Sequence, residues 1–190
     1  MPEAQTVALS SLPRARAARR ALAVLLGAAL VAAAAQVSVP LPGTPVPLTL
    51  QPLAVLVVGG LLGAPLGAAS LLLYLALGAA GLPVFTPVGL PGVARLFGPT
   101  GGYLLAYPVA AFAVGALAGD GARTPRLALA ALIGMVLIHL GGLAQLLLIT
   151  GSVAGALRLG TLPFLAGDLI KVALAVLILK PAVGPLRARL

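Results

Sequence analysis

No charged side chain occurs in the 74 residues between Arg20 and Arg95, and this gap dictates the class of fold. Soluble domains are about 25% charged, so a water-soluble fold could not cover so long an uncharged stretch with a polar surface. A membrane can accommodate it, because a transmembrane helix needs about 20 predominantly apolar residues. The rest of the chain agrees, since 61% of its residues are hydrophobic and 8% are charged. The sequence therefore excludes a soluble enzyme and a nucleic-acid-binding protein.

Prolines and glycines divide the apolar sequence into six segments. The first follows a basic stretch and is explained more simply as a transmembrane helix than as a cleaved signal peptide. The second and third are only about 15 residues long, and such segments must tilt or pack against longer neighbours to cross a bilayer. The six segments cover residues 21–37, 50–63, 66–80, 102–118, 127–149 and 162–179.

These segments predict an all-α polytopic membrane protein with six transmembrane helices. Its membrane domain would cover residues 21–180, between a basic N-terminal segment, 1–20, and a basic tail, 181–190. Six crossings place both chain ends on one side, and basic residues concentrate on the cytoplasmic side. If both termini are cytoplasmic, all of the 12 basic residues lie on the cytoplasmic side except Arg95, Arg158 and Lys171. The net charge of +9 is then a topology signal that also attracts anionic membrane lipids.

Residue counts exclude several kinds of site. The chain has no cysteine, so it has neither a disulfide nor a thiolate metal site. One histidine and three acidic residues argue against a metal site built from protein ligands alone. The glycine-rich residues 98–102 lack the lysine of a phosphate-binding P-loop. We therefore expect no metal and no cofactor, and ATP-driven work would require a partner protein.

Asp168 and Lys171 are the most informative polar residues, and both lie within the sixth segment. Their spacing places them on one face of a helix. A charge near the membrane centre costs about 2.5–3.5 kcal/mol on insertion scales, so such residues usually face a bundle interior or a cavity. The pair predicts a ligand site with a carboxylate acceptor beside an ammonium donor. The alternative is an ion pair that only fixes the sixth helix against its neighbours.

Four further polar side chains are candidates for the same site. Arg95 lies in the loop between the third and fourth segments, and its guanidinium suits an acidic group of a ligand. Tyr103, at the start of the fourth segment, offers a hydroxyl and a ring wall, although interfacial tyrosines are equally common. Gln51 begins the second segment and Tyr74 lies in the third.

His139 lies midway along the fifth segment. With no acidic residue nearby in sequence, a hydrogen bond to a neighbouring helix is a simpler expectation than a proton relay. An intramembrane enzyme that used Asp168 and His139 as acid and base would lose its activity on His139→Ala. A binding protein would tolerate that change and lose its ligand on Asp168→Asn. We expect a binding protein with no enzymatic activity.

Four short strings occur in order along the chain, at residues 45–51 (PVPLTLQ), 81–85 (GLPVF), 96–103 (LFGPTGGY) and 167–171 (GDLIK). Together they resemble the BioY family, the biotin-binding S components of prokaryotic energy-coupling factor (ECF) transporters. The resemblance covers roughly residues 20 to 180. It implies the six-helix S-component fold in the plasma membrane of a prokaryote, with biotin bound in the outer half beneath the outer loops.

The resemblance also implies partners and residue roles. Biotin would be the transported substrate, captured from outside and delivered inward with an ECF transmembrane coupling protein and two ATPase subunits. Asp168 would accept a ureido N–H of biotin, Lys171 would donate to its carbonyl or stabilise Asp168, and Arg95 would hold its carboxylate. Small residues on the first helix would serve the coupling interface, at Ala28, Ala29, Ala32 and Ala33.

Two alternative functions remain open. The chain could be an S component for another vitamin, although three tyrosines, four phenylalanines and no tryptophan offer little for stacking large rings. It could also be a free-standing secondary transporter of a small organic acid, with Asp168 and His139 as the ion-coupling site.

Overall fold

Seven α-helices account for most of the computed structural model, which describes residues 2–120 and 123–190, with side chains from residue 14 onward. Two short strands between the first two helices, β1 (Ser38–Val39) and β2 (Leu48–Thr49), pair antiparallel. A 3-10 helix covers Gly92–Phe97. The α-helices are α1 (Pro2–Gln36), α2 (Gln51–Leu62), α3 (Ala64–Ala79), α4 (Gly101–Ala118), α5 (Thr124–Thr150), α6 (Val153–Gly160) and α7 (Leu165–Arg187).

Each predicted apolar segment corresponds to one of these helices, which confirms the all-α prediction. Within the described residues, four helical stretches are long and apolar enough to cross a membrane: Arg14–Gln36 of α1, and all of α4, α5 and α7. Helices α2 and α3 are equally apolar but only 12 and 16 residues long. The chain is therefore a multi-pass membrane protein. That all six helices matching the predicted segments, α1–α5 and α7, cross the membrane stays a prediction.

Three elements differ from the predicted segments. Residues 153–160 were expected to be a loop but form α6, which begins where the Ser152 hydroxyl accepts the N–H of Gly155 at 3.2 Å. Helix α7 continues past residue 180 to Arg187, and Val183 on this last part is fully buried. Helix α1 runs without interruption through residue 20. Both long helices thus extend beyond the predicted limits of the membrane domain.

Glycines allow α2, α3 and α4 to pack closely. A Cβ atom at Gly59 of α2 would overlap the backbone of Ala111 on α4. A Cβ atom at Gly67 of α3 would lie 2.9 Å from the Cα of Gly59. Gly63 ends α2 and begins α3 with a φ of 80°, which a residue with a side chain adopts only with strain. The two short helices are therefore held tightly against a longer one.

The bundle has two distinct ends. At the loop end, residues 37–50, 80–100 and 151–164 meet, and the Thr44 hydroxyl donates to the carbonyl oxygen of Leu159 at 2.6 Å. At the terminal end, Arg20 Nε donates to the carbonyl oxygen of Leu190 at 2.9 Å. The basic part of α1 and the end of the described chain therefore lie together.

Arg187 joins three elements at the terminal end. Its guanidinium donates to the carbonyl oxygens of Gly60 at 2.7 and 3.1 Å, Gly115 at 2.9 Å and Gly119 at 3.1 Å. It also contacts the carboxylate of Asp120 at 3.0 Å, although the Asp120 side chain is 86% exposed. These carbonyls lie at the C-terminal ends of α2 and α4, where helices have no internal donors left for them. Arg187 therefore caps two neighbouring helices at once.

Candidate ligand-binding site

A cavity near the loop end has about 580 Å³ of empty space, including its opening. Its walls come from α2, α4, α5 and α7 and from the loops that precede α2, α4 and α7. Apolar side chains form much of the surface, and the polar residues that line it are Thr49, Gln51, Thr86, Thr100, Tyr103, Tyr107, His139, Asp168 and Lys171.

The predicted pair on α7 is formed in this cavity. Lys171 Nζ donates to Asp168 Oδ1 at 2.8 Å, and each residue is only 6% exposed. Asp168 lies in the first turn of α7, where the helix dipole favours a negative charge. The two opposite charges balance, so the site can receive a ligand group that is itself neutral and carries both hydrogen-bond donors and an acceptor.

His139 on α5 contacts the other oxygen of the same carboxylate. Its Nε2 lies 2.7 Å from Asp168 Oδ2, and its Nδ1 lies 3.4 Å from the hydroxyl oxygen of Thr161. The predicted hydrogen bond to a neighbouring helix is confirmed, and its partner is an acidic residue remote in sequence. Because His139→Ala would remove a partner of buried Asp168, we expect the change to weaken a binding protein too, so it would not separate a binding protein from an enzyme.

Gln51 lines the cavity, and Tyr74 supports the Gln51 side chain from the side away from the cavity. Gln51 Nε2 donates to the Tyr74 hydroxyl oxygen at 2.6 Å, and the Thr49 hydroxyl donates to Gln51 Oε1 at 3.3 Å. Tyr74 is fully buried, packs edge-on against Phe85 with ring centroids 5.4 Å apart, and does not reach the cavity. Of these two predicted site residues, the structure therefore brings only Gln51 to the cavity surface.

Tyr103 forms part of the wall, in a slot made by two glycines. Its hydroxyl donates to the carbonyl oxygen of Gly160 at 2.6 Å. Its ring lies against Gly142 of α5, where any Cβ atom would overlap the ring. The ring is therefore held in one orientation, and its hydroxyl proton already has an acceptor within the protein.

Arg95 is buried in the loop rather than in the cavity wall. Its guanidinium donates to the carbonyl oxygens of Val88 at 2.6 Å and Thr86 at 2.7 Å, and to the Thr86 hydroxyl at 2.9 Å. Burial lowers the pKa of Arg95 below its ordinary value, and an arginine stays protonated at neutral pH even so. Arg95 lines a second, outer cavity that shares Pro47 and Thr100 with the first. Its contact with a ligand carboxylate stays a prediction.

The BioY family model matches residues 5–188 of the chain. The chain belongs to the BioY family. It is 43% identical over 155 residues to a probable biotin transporter BioY of Pyrococcus horikoshii, a match that covers 82% of this chain and 90% of the relative. It is 36% identical over 150 residues to the biotin transporter BioY of Thermotoga maritima, covering 79% and 87%.

A solved structure has the same fold. The crystal structure of the S-component for biotin from an ECF-type ABC transporter matches this BioY chain with a TM-score of 0.77 and 26% identity. The match covers 95% of this chain and 93% of that one. The relatives are named as transporters, in line with the expectation that this chain is not an enzyme.

The four alanines predicted at a coupling interface do not share one environment in this BioY chain. Ala28 is 4% exposed and Ala32 is partly buried against the core, on the side of α1 that packs on α2 and α3. Ala29 and Ala33 are exposed on the opposite side. Only the second pair is therefore accessible to another protein, and the first is used within the bundle.

Sequence reasoning did not assign several side chains to the cavity. His139, Tyr107, Thr86 and Phe164 line it, but none was chosen as a site residue. Tyr107 follows Tyr103 by one helical turn, and this spacing was the available signal. For His139 the sequence contains no such signal, because its partner Asp168 lies 29 positions away on another helix.

Proposed function

We propose that this chain is the biotin-binding substrate-capture (S) component of an ECF biotin uptake transporter in the plasma membrane of a prokaryote. The observation that carries the proposal is the buried Asp168–Lys171 pair in the wall of a largely apolar cavity. Two opposite charges at 2.8 Å provide an acceptor and a donor side by side with no net charge. Membership of the BioY family supports biotin as the ligand.

Biotin has the chemistry that this cavity requires. Its ureido head is neutral and carries two N–H donors and one carbonyl, while its bicycle and tail are apolar. We assign one ureido N–H to the carboxylate of Asp168 and the ureido carbonyl to the ammonium of Lys171. The ring of Tyr103, the amide of Gln51 and the neighbouring aliphatic side chains would enclose the rest. Tyr74 contributes by orienting Gln51.

The carboxylate of biotin would then extend toward Arg95 in the outer cavity. Among the described residues, Nε of Arg95 is buried and has no hydrogen-bond acceptor. A buried donor without an acceptor costs about 1–3 kcal/mol, and a ligand carboxylate would supply the missing acceptor. Arg95 would in this way link ligand binding to the loop whose carbonyl oxygens it already contacts.

The topology and partners are also part of the proposal. The six helices α1–α5 and α7 would all cross the membrane, with both termini cytoplasmic and the cavity in the outer half. The concentration of basic residues near the terminal end supports this orientation. The outward face of α1 at Ala29 and Ala33 would contact the transmembrane coupling protein, because small residues allow helices to approach closely. Two ATPase subunits would supply the energy.

Calorimetric titration of the detergent-purified, ligand-free chain with biotin and with thiamine tests the proposal. We expect saturable biotin binding that is lost in Asp168→Asn and kept in Asp120→Asn, the matched change at an exposed aspartate. Thiamine should not bind. Absence of biotin binding by a folded sample would reject the proposed ligand and leave the fold unaffected.

The contact between His139 and Asp168 favours one second candidate, a free-standing secondary transporter that couples uptake to protons. A histidine and a carboxylate 2.7 Å apart form the only ion-coupling site that the sequence suggested. Biotin uptake by proteoliposomes that contain this chain alone distinguishes the two. Uptake that requires a proton gradient supports the second candidate, and absence of uptake by a biotin-binding chain supports the S component.

A further inference from the structure

We propose that His139 is a positioning residue of the ligand site, which orients the carboxylate of Asp168 so that the site prefers a neutral N–H donor over a cationic group. This inference rests on the proposed function for the identity of the ligand. The contact between His139 and Asp168 can be tested without any ligand.

Two helices hold the carboxylate of Asp168 by its two different oxygens. Lys171, on the same helix, donates to Oδ1 at 2.8 Å, and His139, on α5, lies 2.7 Å from Oδ2. An ionised carboxylate has about four acceptor positions, so two remain for a ligand. Because the donors come from separate helices, rotation of the carboxylate would break at least one hydrogen bond. Its remaining acceptor positions are therefore fixed relative to the cavity.

The contacts of the imidazole determine which nitrogen carries the proton. A carboxylate only accepts, so Nε2 of His139 must donate to Asp168 Oδ2. In a neutral imidazole Nδ1 is then an acceptor, and the Thr161 hydroxyl is 3.4 Å away from it. Each group thus donates to the next, the Thr161 hydroxyl to Nδ1 of His139 and Nε2 of His139 to Asp168. A neutral imidazole leaves the opposite charges of Asp168 and Lys171 balanced, which suits an uncharged head group.

His139 also separates the cavity from the outside of the bundle. It lines the ligand cavity and, together with Met135 and Asp168, an apolar groove on the outer side of α5 and α7. The wall at this point is one side chain thick. A truncation to alanine would therefore combine a lost hydrogen bond with a new opening, and variants that keep the volume of the side chain are more informative.

Binding by two volume-retaining variants, His139→Gln and His139→Leu, measures the positioning role. His139→Leu removes the donor, and we expect biotin binding to weaken about tenfold or more, as for one lost hydrogen bond to a charged group. His139→Gln retains an N–H donor and should recover most of the affinity. Leu148→Gln, which introduces the same side chain at a position on α5 that is 83% exposed, is the control and should bind as the unmodified chain does.

Comparing the affinities for two ligands distinguishes a His139 that orients Asp168 from one that only supports the fold. His139→Leu leaves Asp168 Oδ2 without its donor, so a cationic analogue such as 2-iminobiotin should lose less affinity than biotin. A merely structural histidine would weaken both ligands by the same factor. Equal losses for the two ligands, or unchanged biotin affinity in His139→Leu, would overturn the inference while leaving biotin binding by the unmodified chain intact.

Nitrogen NMR of the protein labelled with 15N-histidine provides the test that needs no ligand. His139 is the only histidine of the chain, so a sample without a histidine tag gives one pair of ring signals. We expect Nε2 to be protonated and Nδ1 unprotonated in the ligand-free chain, and both signals to change in Asp168→Asn. A protonated Nδ1 with an unprotonated Nε2, or signals that Asp168→Asn leaves unchanged, would refute the contact whether or not the chain binds biotin.

Discussion

Helix α7 buries charge at both of its ends, and the two ends use it differently. Near the terminal end, the guanidinium of Arg187 is surrounded by carbonyl oxygens of Gly60, Gly115 and Gly119. Near the loop end, Asp168 has two protein donors and still faces a cavity. A buried charge whose contacts are all internal holds helices together, whereas one with unused acceptor positions beside empty space can bind a ligand.

Lys171→Met should give the largest effect, and it acts on the ligand site. Removing one partner of a buried ion pair leaves an uncompensated charge, which lowers the free energy of unfolding by about 3–5 kcal/mol. The ligand also loses a charged donor, so we expect biotin binding to weaken at least about tenfold, measured by calorimetry. Lys180→Met removes the same charge from an exposed position of α7 and serves as the control. Similar affinity in both variants would show that the ion pair is not part of the site.

Arg187→Met should differ from Lys171→Met by lowering stability with little change in binding. Hydrogen bonds that involve a charged group each contribute about 1.5–3 kcal/mol, and the replacement leaves several carbonyl oxygens without donors. We expect a clear drop in the thermal unfolding midpoint in detergent, with the Kd for biotin within about threefold of its original value. Arg189→Met, at an exposed residue, is the control. A large loss of biotin affinity at an unchanged midpoint would contradict the division of roles.

Asp120→Asn should give the smallest effect and separates the two kinds of contact made by Arg187. The Asp120 side chain is 86% exposed, and exposed ion pairs contribute about 0–1 kcal/mol. The unfolding midpoint should therefore change little compared with Arg187→Met. If the two variants were equally destabilised, the ion pair rather than the carbonyl contacts would hold the terminal end together.

The parts of the fold and site that depend on local sequence could be predicted. Proline and glycine breaks located the six apolar helices, and the spacing of Asp168 and Lys171 sufficed to place both charges on one face. Helix α6 was missed because two of its eight residues, Gly155 and Gly160, are glycines, and a third glycine, Gly151, lies just before it. Glycine is a poor helix former, so the composition indicated a loop.

Contacts that depend on how helices are rotated could not be predicted. The bond between His139 and Asp168 requires α5 and α7 to turn particular faces toward each other. The role of Arg95 depends on the path of the loop that carries Thr86 and Val88. The two alanine pairs of α1 have identical spacing, so spacing alone could not tell which pair faces the bundle.

The division of α1 into a buried and an exposed alanine pair has an evolutionary consequence. A larger side chain at Ala28 would disturb folding in every setting, because this position packs inside the bundle. A larger side chain at Ala29 would matter only in the presence of another protein, because that position is exposed. With the proposed coupling interface at Ala29, selection for folding and selection for partner choice would act on adjacent positions of one helix, and a lineage could exchange its partner while its fold stayed unchanged.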